Sequence, residues 1–394
     1  MRKIGLIKLR SVMSGQDPAL VREEAAFLRS IDPADEFAFV KPLKGILTLF
    51  FIETGGSEIY FKDLYERYPG PYYLLVQGSR NSLAASLEIL SFLRQKGLEG
   101  HLIQGTPEAI HAEIAFFARA QEAKLSLQGV RLGVIGKPSD WLIASDVDYK
   151  AVQKKFGIEL VDISIRELLQ AIELHKIADE KTFNEMLKKT RRADDLRESF
   201  YIHGALRALC ETYRLSGFTL RCFDLVKKIQ QTSCLAFSIL NRDGIVAGCE
   251  GDVPSLLTMR MMKALTGQSV FMANPARIDP SSREAVYAHC TCPLDMLSGY
   301  ALATHFESGL GFGIRGDFRK DVFTAAKLSP DLASFRVLTG SIAGNLAEAE
   351  LCRSQIKVKF DQPIEDLIEK PYGNHLLFTY GNHKRLFDVF FSLF

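Results

Sequence analysis

Two carboxylates, Glu250 and Asp252, alternate along the segment GCEGDV, at the end of the apolar run IVAGC. Alternate side chains of an extended chain point to the same side, so both carboxylates should lie together where a strand ends. Hard divalent cations such as Mg²⁺ and Mn²⁺ prefer carboxylate oxygens as ligands. A solvated turn in which Asp252 caps a helix starting at Pro254 fits the same residues. The segment therefore indicates either a cation site or a helix N-cap.

Three histidines further along the chain could serve as ligands or proton carriers. His289 precedes a Cys-x-Cys pair, His305 alternates with Glu307 before a glycine-rich stretch, and His375 precedes the apolar run LLFTY. An imidazole at a strand end suits a transition metal when its second nitrogen has an orienting partner. Taken alone, each histidine is also explained as a hydrogen-bonded structural residue.

The order of these motifs carries more information than any one of them. A strand ending in CEGD (249–252) is followed by a Ser/Cys-rich loop, a glycine-rich hairpin, and then GNH (373–375) with TYG (379–381). In this order they resemble the L-fucose isomerase and L-arabinose isomerase superfamily. The motifs cover the C-terminal part of the chain, whereas the N-terminal half agrees only in its α/β pattern.

The resemblance implies a fold, a reaction and a metal. The fold is two Rossmann-like domains followed by a β-rich domain, and the reaction is aldose–ketose isomerisation through an ene-diol, assisted by Mn²⁺ or another divalent cation. The family's metal-binding Asp and His match Asp252 and His375, and Glu250 would then contact a ligand hydroxyl or lie behind the ion. A small sugar as substrate and a homo-oligomer, trimer or hexamer, are also implied.

One departure from the family pattern affects the chemistry. The family's remaining Glu, both ligand and base, should fall in KKIQQTSCLAFSIL (227–240), which has no carboxylate. His289, His305 or Glu307 would have to substitute for it. The candidate catalytic residues are Asp252, Glu250, His289 and Glu307.

Further residues are candidates for contact with the sugar. Trp141, the single tryptophan, follows a predicted strand and could offer an aromatic face to sugar C–H groups, although a packing role is the alternative. The candidate substrate contacts are Asn81, Ser139, Trp141, His305 and Asn374.

Composition limits the class of protein. The 394 residues carry a net charge of +2 with no long basic block, so nucleic acid is not expected as a partner. No apolar run approaches the ~20 residues of a membrane span, and MRKIGLIKLRS lacks the core and cleavage site of a signal peptide. Seven scattered cysteines, an odd number, indicate reduced thiols and a cytoplasmic protein.

The element pattern predicts an α/β fold with two Rossmann-like parallel-sheet domains, residues 1–127 and 128–266, and a barrel-like β-rich domain, residues 267–394. Apolar strands such as 72–77 alternate with helices such as 17–30 in the first part. Residues 218–223 and 234–239 are predicted as further strands of the second sheet.

Three functions remain consistent with these observations. The first is a metal-dependent sugar isomerase. The second is a related ene-diol reaction, such as that of a lyase, on the same scaffold. The third is a non-catalytic carbohydrate-binding protein that has lost the catalytic Glu.

Overall fold

The computed structural model describes residues 1–12 and 18–394. The chain forms two compact units, one of Met1–Leu125 with Asp388–Phe394 and one of Ser126–Phe387. These are called the first and second units below. The predicted division into three domains stays a prediction.

The first unit contains a five-stranded parallel sheet in the order β2-β1-β3-β4-β5. Strands such as TLFFI and YYLLV are apolar on both faces because helices cover a parallel sheet on both sides. The predicted helix 17–30 is confirmed as Pro18–Ile31, and Asp17 itself lies outside the described residues. The elements are β1 Arg2–Leu9, α1 Pro18–Ile31, β2 Phe37–Val40, β3 Thr48–Ile52, α2 Glu58–Leu64, β4 Tyr72–Val76, α3 Ser82–Gln95, β5 Gly100–Ile103 and α4 Pro107–Leu125.

The second unit opens with a four-stranded parallel sheet in the order β7-β6-β8-β9. This sheet ends with β9, whose last residue is Cys249, and the long helix α11 follows. The elements are β6 Arg131–Ile135, α5 Tyr149–Phe156, β7 Glu159–Ile163, α6 Ile165–Ile172, α7 Glu180–Leu187, α8 Ala193–Tyr213, β8 Gly217–Leu220, α9 Phe223–Ile229, α10 Cys234–Arg242, β9 Val246–Cys249 and α11 Val253–Thr266.

The prediction of a strand at 234–239 is wrong, because this segment is the first part of α10. Every residue from Cys234 to Asn241 is buried, so the helix has no polar face to reveal a period of 3.6 residues. A short, fully apolar run does not distinguish a buried helix from a buried strand. The predicted strand 218–223 is confirmed only to Leu220, after which the chain turns into α9.

The β-rich part of the second unit is a closed barrel of antiparallel strands, as the sequence predicted. Its order is β10-β11-β16-β15-β14-β17, and β17 closes the barrel by pairing with both β10 and β14. The glycine-rich stretch leads into a separate hairpin, β12-β13. The elements are β10 Phe271–Asp279, β11 Glu284–His289, β12 Leu297–Ala303, β13 Gly313–Phe318, β14 Val322–Leu328, β15 Phe335–Asn345, β16 Ser354–Phe360, α12 Asp366–Glu369 and β17 Leu376–Tyr380. The last helix, α13 Lys384–Ser392, begins in the second unit, and its residues from Asp388 onward belong to the first.

The described helices include none that is both long enough and apolar enough to cross a bilayer.

The turn between β9 and α11 requires glycine at one position. Gly251 has φ +76°, and a Cβ there would lie 2.4 Å from the carbonyl oxygen of Lys137 and 2.6 Å from the Cα of Pro138. Both neighbours are backbone atoms that cannot rotate away. The strand end therefore packs directly on the 136–140 loop.

We expect Gly251→Ala to destabilise the protein more than Gly267→Ala. Gly267 has a similar φ, +72°, but nothing within 4 Å of an added Cβ. Both substitutions carry the strain of a left-handed residue, about 1–2 kcal/mol, and only Gly251→Ala adds overpacking of about 1–3 kcal/mol. Urea unfolding measures the difference, and equal free energies of unfolding for the two variants would refute the close packing.

Candidate functional site

The β9–α11 turn directs Glu250 outward from the carboxyl edge of the sheet. Glu250 has φ +61°, which is unusual for a residue with a side chain. Its carbonyl oxygen accepts a hydrogen bond from the amide of Ser139 at 3.0 Å, and its Oε2 accepts one from Nε1 of Trp141 at 3.1 Å. These contacts hold the carboxylate, which is 9 % exposed, in one orientation.

Asp252 is fully buried and is the N-cap of α11. Its Oδ1 accepts a hydrogen bond from the amide of Ser255 at 2.8 Å. Its Oδ2 accepts from the Ser255 hydroxyl at 2.6 Å, from Nζ of Lys327 at 2.9 Å and from Nδ1 of His375 at 2.8 Å. Asp252 therefore joins the start of α11, strand β14 and the residue before β17.

Lys327 is the residue of this site that sequence reasoning missed. It lies in β14, VFTAAKL, where it is 2 % exposed, and its Nζ also donates to the Ser255 hydroxyl. A single lysine in an otherwise apolar strand was the available signal, because a buried lysine requires an anionic partner. Burial would raise the pKa of Asp252, but the Lys327 charge and the His375 hydrogen bond hold it well below its ordinary value.

Two imidazole nitrogens close to Glu250 are buried and have no hydrogen-bond partner: Nε2 of His289 and Nε2 of His375. Nδ1 of His375 contacts Asp252, and Nδ1 of His289 contacts the Thr291 hydroxyl at 2.8 Å. The backbone amide of Thr291 also donates to Nδ1 of His289, at 3.3 Å. With its proton on Nδ1, His375 keeps a lone pair on Nε2. His289 keeps a lone pair on Nε2 in the tautomer whose Nδ1 donates to the Thr291 hydroxyl. The distance from Nε2 of His375 to Oε1 of Glu250, 3.8 Å, is too long for a hydrogen bond.

Glu250, His289 and His375 form the one cluster among the described residues whose ligand atoms could hold a metal ion. One ligand atom from each lies within 4.8 Å of the others, and all three side chains are buried. A carboxylate and two imidazoles suit divalent transition metals, and Asp252 behind His375 is the usual orienting partner of a metal-binding histidine. An ion here would satisfy both unpartnered Nε2 atoms.

The electrostatics of the cluster favour a positive charge in its centre. Burial would raise the pKa of Glu250, but His375 and then His289 and Trp141 lower it to about 2, so the carboxylate is ionised. Burial and the neighbouring His375 lower the pKa of His289 to about 3, so this imidazole is neutral. Burial would lower the pKa of His375, but its hydrogen bond to Asp252 and the nearby Glu250 raise it.

Glu250, one member of the cluster, lines a cleft of about 510 Å³ in the second unit. Trp141 is 48 % exposed there and packs edge-to-face on Phe223, with ring centroids 5.0 Å apart. Burial and the negative charge of Glu250 raise the pKa of Glu307, which contributes a second carboxylate. The cleft is lined by Trp141, Phe223, Glu250, Asn274, Pro275, Glu307 and Asn374.

The remaining candidate contacts with the sugar, Asn81, Ser139, Asn374 and His305, do not all lie at this cleft. Asn81 lies in the first unit, where it is the residue before α3. Ser139 is 2 % exposed and contacts Glu250 through its backbone, while Asn374 donates to Asn274 at 3.3 Å within the cleft. His305 is buried, and its Nδ1 contacts the Ser308 hydroxyl at 3.0 Å.

The segment 227–240, where the family carries a further Glu, contributes no carboxylate. It runs from the end of α9 into α10, and two of its polar side chains make structural contacts. Gln231 donates to Asp195 at 3.2 Å, and the Thr232 hydroxyl donates to the carbonyl of Phe312 at 3.3 Å.

Comparison with known proteins relates this chain to sugar isomerases. No family model matches it. It is 18 % identical over 319 residues to a sulfoquinovose isomerase from Alkalicoccus urumqiensis, covering 77 % of this chain and 72 % of the relative. A sulfoquinovose isomerase from Priestia megaterium is 19 % identical, again over 77 % of this chain and 72 % of the relative.

An L-arabinose isomerase from Shewanella baltica is 25 % identical over 232 residues, which are 55 % of this chain and 46 % of that enzyme. The chain is therefore similar, at low identity, to proteins named as sugar isomerases. They do not point to L-fucose specifically.

We expect Lys327→Met to destabilise the protein by about 3–5 kcal/mol, since it leaves the Asp252 carboxylate buried without its cation. The double variant Asp252→Asn/Lys327→Met should recover part of the loss, because both charges are then removed. Lys370→Met is the control: it breaks the exposed pair with Asp366, which contributes at most about 1 kcal/mol. Urea unfolding measures these three variants and the single variant Asp252→Asn. A double variant as unstable as the sum of Asp252→Asn and Lys327→Met would contradict the coupling.

Proposed function

We propose that this protein is a metal-dependent aldose–ketose isomerase acting on a small sugar or sugar derivative. The observation that carries the proposal is the convergence of Glu250 with two buried, unpartnered imidazole nitrogens, those of His289 and His375. Structural histidines normally pair both nitrogens when buried. Two buried histidines whose Nε2 atoms are both unpaired beside one carboxylate are better explained as metal ligands.

Glu250, His289 and His375 would hold the ion, with Mn²⁺ as the leading candidate. A bound divalent cation supplies a Lewis acid for the oxygens on the two adjacent carbons that exchange oxidation state. Asp252, first considered as a ligand, is proposed here as the residue that orients His375, because its Oδ2 already accepts three hydrogen bonds. Lys327 neutralises Asp252, so Glu250 supplies the uncompensated negative charge of the proposed ligand set.

Proton transfer between the two carbons needs a base that is not occupied in holding the ion. Glu307 is the candidate, since it is a carboxylate that lines the same cleft as Glu250. Its raised pKa moves it toward the operating pH, where a general base is most effective. Its carboxylate would remove the proton from one carbon and return it to the neighbouring carbon.

Trp141 and Asn374 are proposed as substrate contacts at the mouth of the cleft. The indole ring is half exposed while its Nε1 is engaged by Glu250, which leaves the ring face for the C–H surface of a sugar. The names of the relatives make sulfoquinovose and L-arabinose the first sugars to assay, with L-fucose as the third. A homo-oligomer remains part of the proposal.

The second candidate function, a carbohydrate-binding protein without catalysis, is favoured by the absence of a carboxylate from 227–240. An assay of the three aldoses and their ketoses with Mn²⁺ separates the two functions. If the protein is an isomerase, we expect it to interconvert at least one of these aldoses with its ketose. Saturable sugar binding without turnover of any of them would support the second function instead.

Metal binding tests the ligands independently of turnover. We expect the chain to bind one Mn²⁺, and His289→Asn and His375→Asn each to weaken binding at least tenfold, because loss of an orienting partner alone costs about 10–100-fold. The control is His175→Asn, an exposed histidine with φ +49° that asparagine also adopts readily. Isothermal titration calorimetry gives the affinities, and unchanged binding by both site variants would exclude these ligands.

Glu307→Gln tests the base. We expect kcat to fall by about 10²–10⁴-fold, the usual contribution of a positioned general base, while Mn²⁺ affinity stays as in the wild type. The control is Glu185→Gln, an exposed residue of α7. If Glu307→Gln keeps the wild-type kcat, another group must carry the proton, and His305 would be the next to substitute.

A further inference from the structure

Two buried thiols lie directly behind the turn that carries Glu250. The Sγ atoms of Cys222 and Cys249 are 3.2 Å apart, and the residues are 7 % and 3 % exposed. Cys249 is the last residue of β9, and Cys222 follows the end of the neighbouring strand β8, whose Leu220 pairs with Cys249. The two thiols therefore meet where adjacent parallel strands end.

The two thiols need only a small shift to form a disulfide bond. The sulfur atoms of a disulfide are about 2.05 Å apart, so the thiols would have to approach by about 1.2 Å. Both residues immediately precede a change of chain direction, Cys222 before α9 and Cys249 before the turn at Gly251. A shift of that size is more easily absorbed there than in the middle of a strand ladder.

We propose that Cys222 and Cys249 are a site of reversible oxidation, at which a peroxide converts the two thiols to a disulfide. One thiolate attacks a peroxide oxygen and becomes a sulfenic acid, with release of water. The second thiol then attacks that sulfur, the S–S bond forms, and a second water leaves. The two thiols lose two electrons and two protons in total, and hydrogen peroxide is reduced to two molecules of water.

A Cys222–Cys249 disulfide would change the position of the Glu250 carboxylate through both of its cysteines. Cys249 precedes Glu250 in the chain, so movement of its side chain pulls on the left-handed turn that orients the carboxylate. Cys222 precedes Phe223, which packs on Trp141, the donor to Oε2 of Glu250. Oxidation should therefore displace Glu250 from His289 and His375 and weaken cation binding, a consequence that rests on the proposed function.

The test uses the whole chain, treated with hydrogen peroxide and then analysed by non-reducing peptide mass mapping. We expect a peptide joining Cys222 to Cys249, lighter by two hydrogens than the two thiol peptides together, that dithiothreitol reverses. Mn²⁺ affinity, measured on the same samples, should fall at least tenfold in the oxidised wild type. It should be unaffected by peroxide in Cys222→Ala, while Cys210→Ala, which removes a buried cysteine of α8, should respond as the wild type does.

Each other result overturns a defined part of the proposal. If Cys222 and Cys249 stay reduced while the protein remains folded by circular dichroism, the pair is only a packing contact between small apolar side chains. The same conclusion follows if the disulfides that form join only other cysteines of the chain. If the 222–249 disulfide forms but Mn²⁺ affinity is unchanged, the coupling to Glu250 is wrong. If reduced wild type binds no Mn²⁺, the proposed function fails, and the mass mapping alone still decides the thiol chemistry.

Discussion

The buried carboxylate of Asp252 is the interaction on which the rest of the site depends. It caps α11 through Ser255, pairs with Lys327 of β14, and accepts the hydrogen bond from His375 just before β17. A fully buried charge of this kind is tolerated only when it is paired and its oxygens are saturated with donors. The parallel sheet and the closed barrel of the second unit are therefore linked by one satisfied anion.

The same pairing determines which groups are left for chemistry. Because Lys327 and Asp252 neutralise each other, Glu250 supplies the uncompensated negative charge of the cluster, and it lines the cleft together with Glu307. Because Asp252 occupies Nδ1 of His375, the free nitrogen of that ring is Nε2, on the side of Glu250 and His289. An ion held by these three proposed ligands would keep coordination positions for substrate oxygens or water, which is the arrangement of a catalytic rather than a structural metal site.

The sequence predicted the α/β class, the barrel-like end and the proximity of Asp252 to His375, because apolar runs and motif order are local signals. It offered a cation site and a helix cap as alternatives for the CEGD motif. The structure shows the cap at Asp252, while Glu250 belongs to a cluster that could hold an ion. The sequence did not reveal the role of Lys327, because Lys327 belongs to none of the motifs that carry the family resemblance, and its partner lies 75 residues away in the chain. It also mistook the first part of α10 for a strand, because a helix buried on all sides shows no periodicity.

The central claim is that Glu250, His289 and His375 hold one divalent cation. Pulsed electron paramagnetic resonance of Mn²⁺ added to the metal-free protein tests this most directly, because it detects nitrogen nuclei bound to the ion. The account predicts modulation from two imidazole nitrogens in the wild type and from one in His289→Asn. A spectrum of hydrated Mn²⁺ without nitrogen coupling would contradict these ligands, provided that the protein concentration is far above micromolar so that even a weak site would be filled.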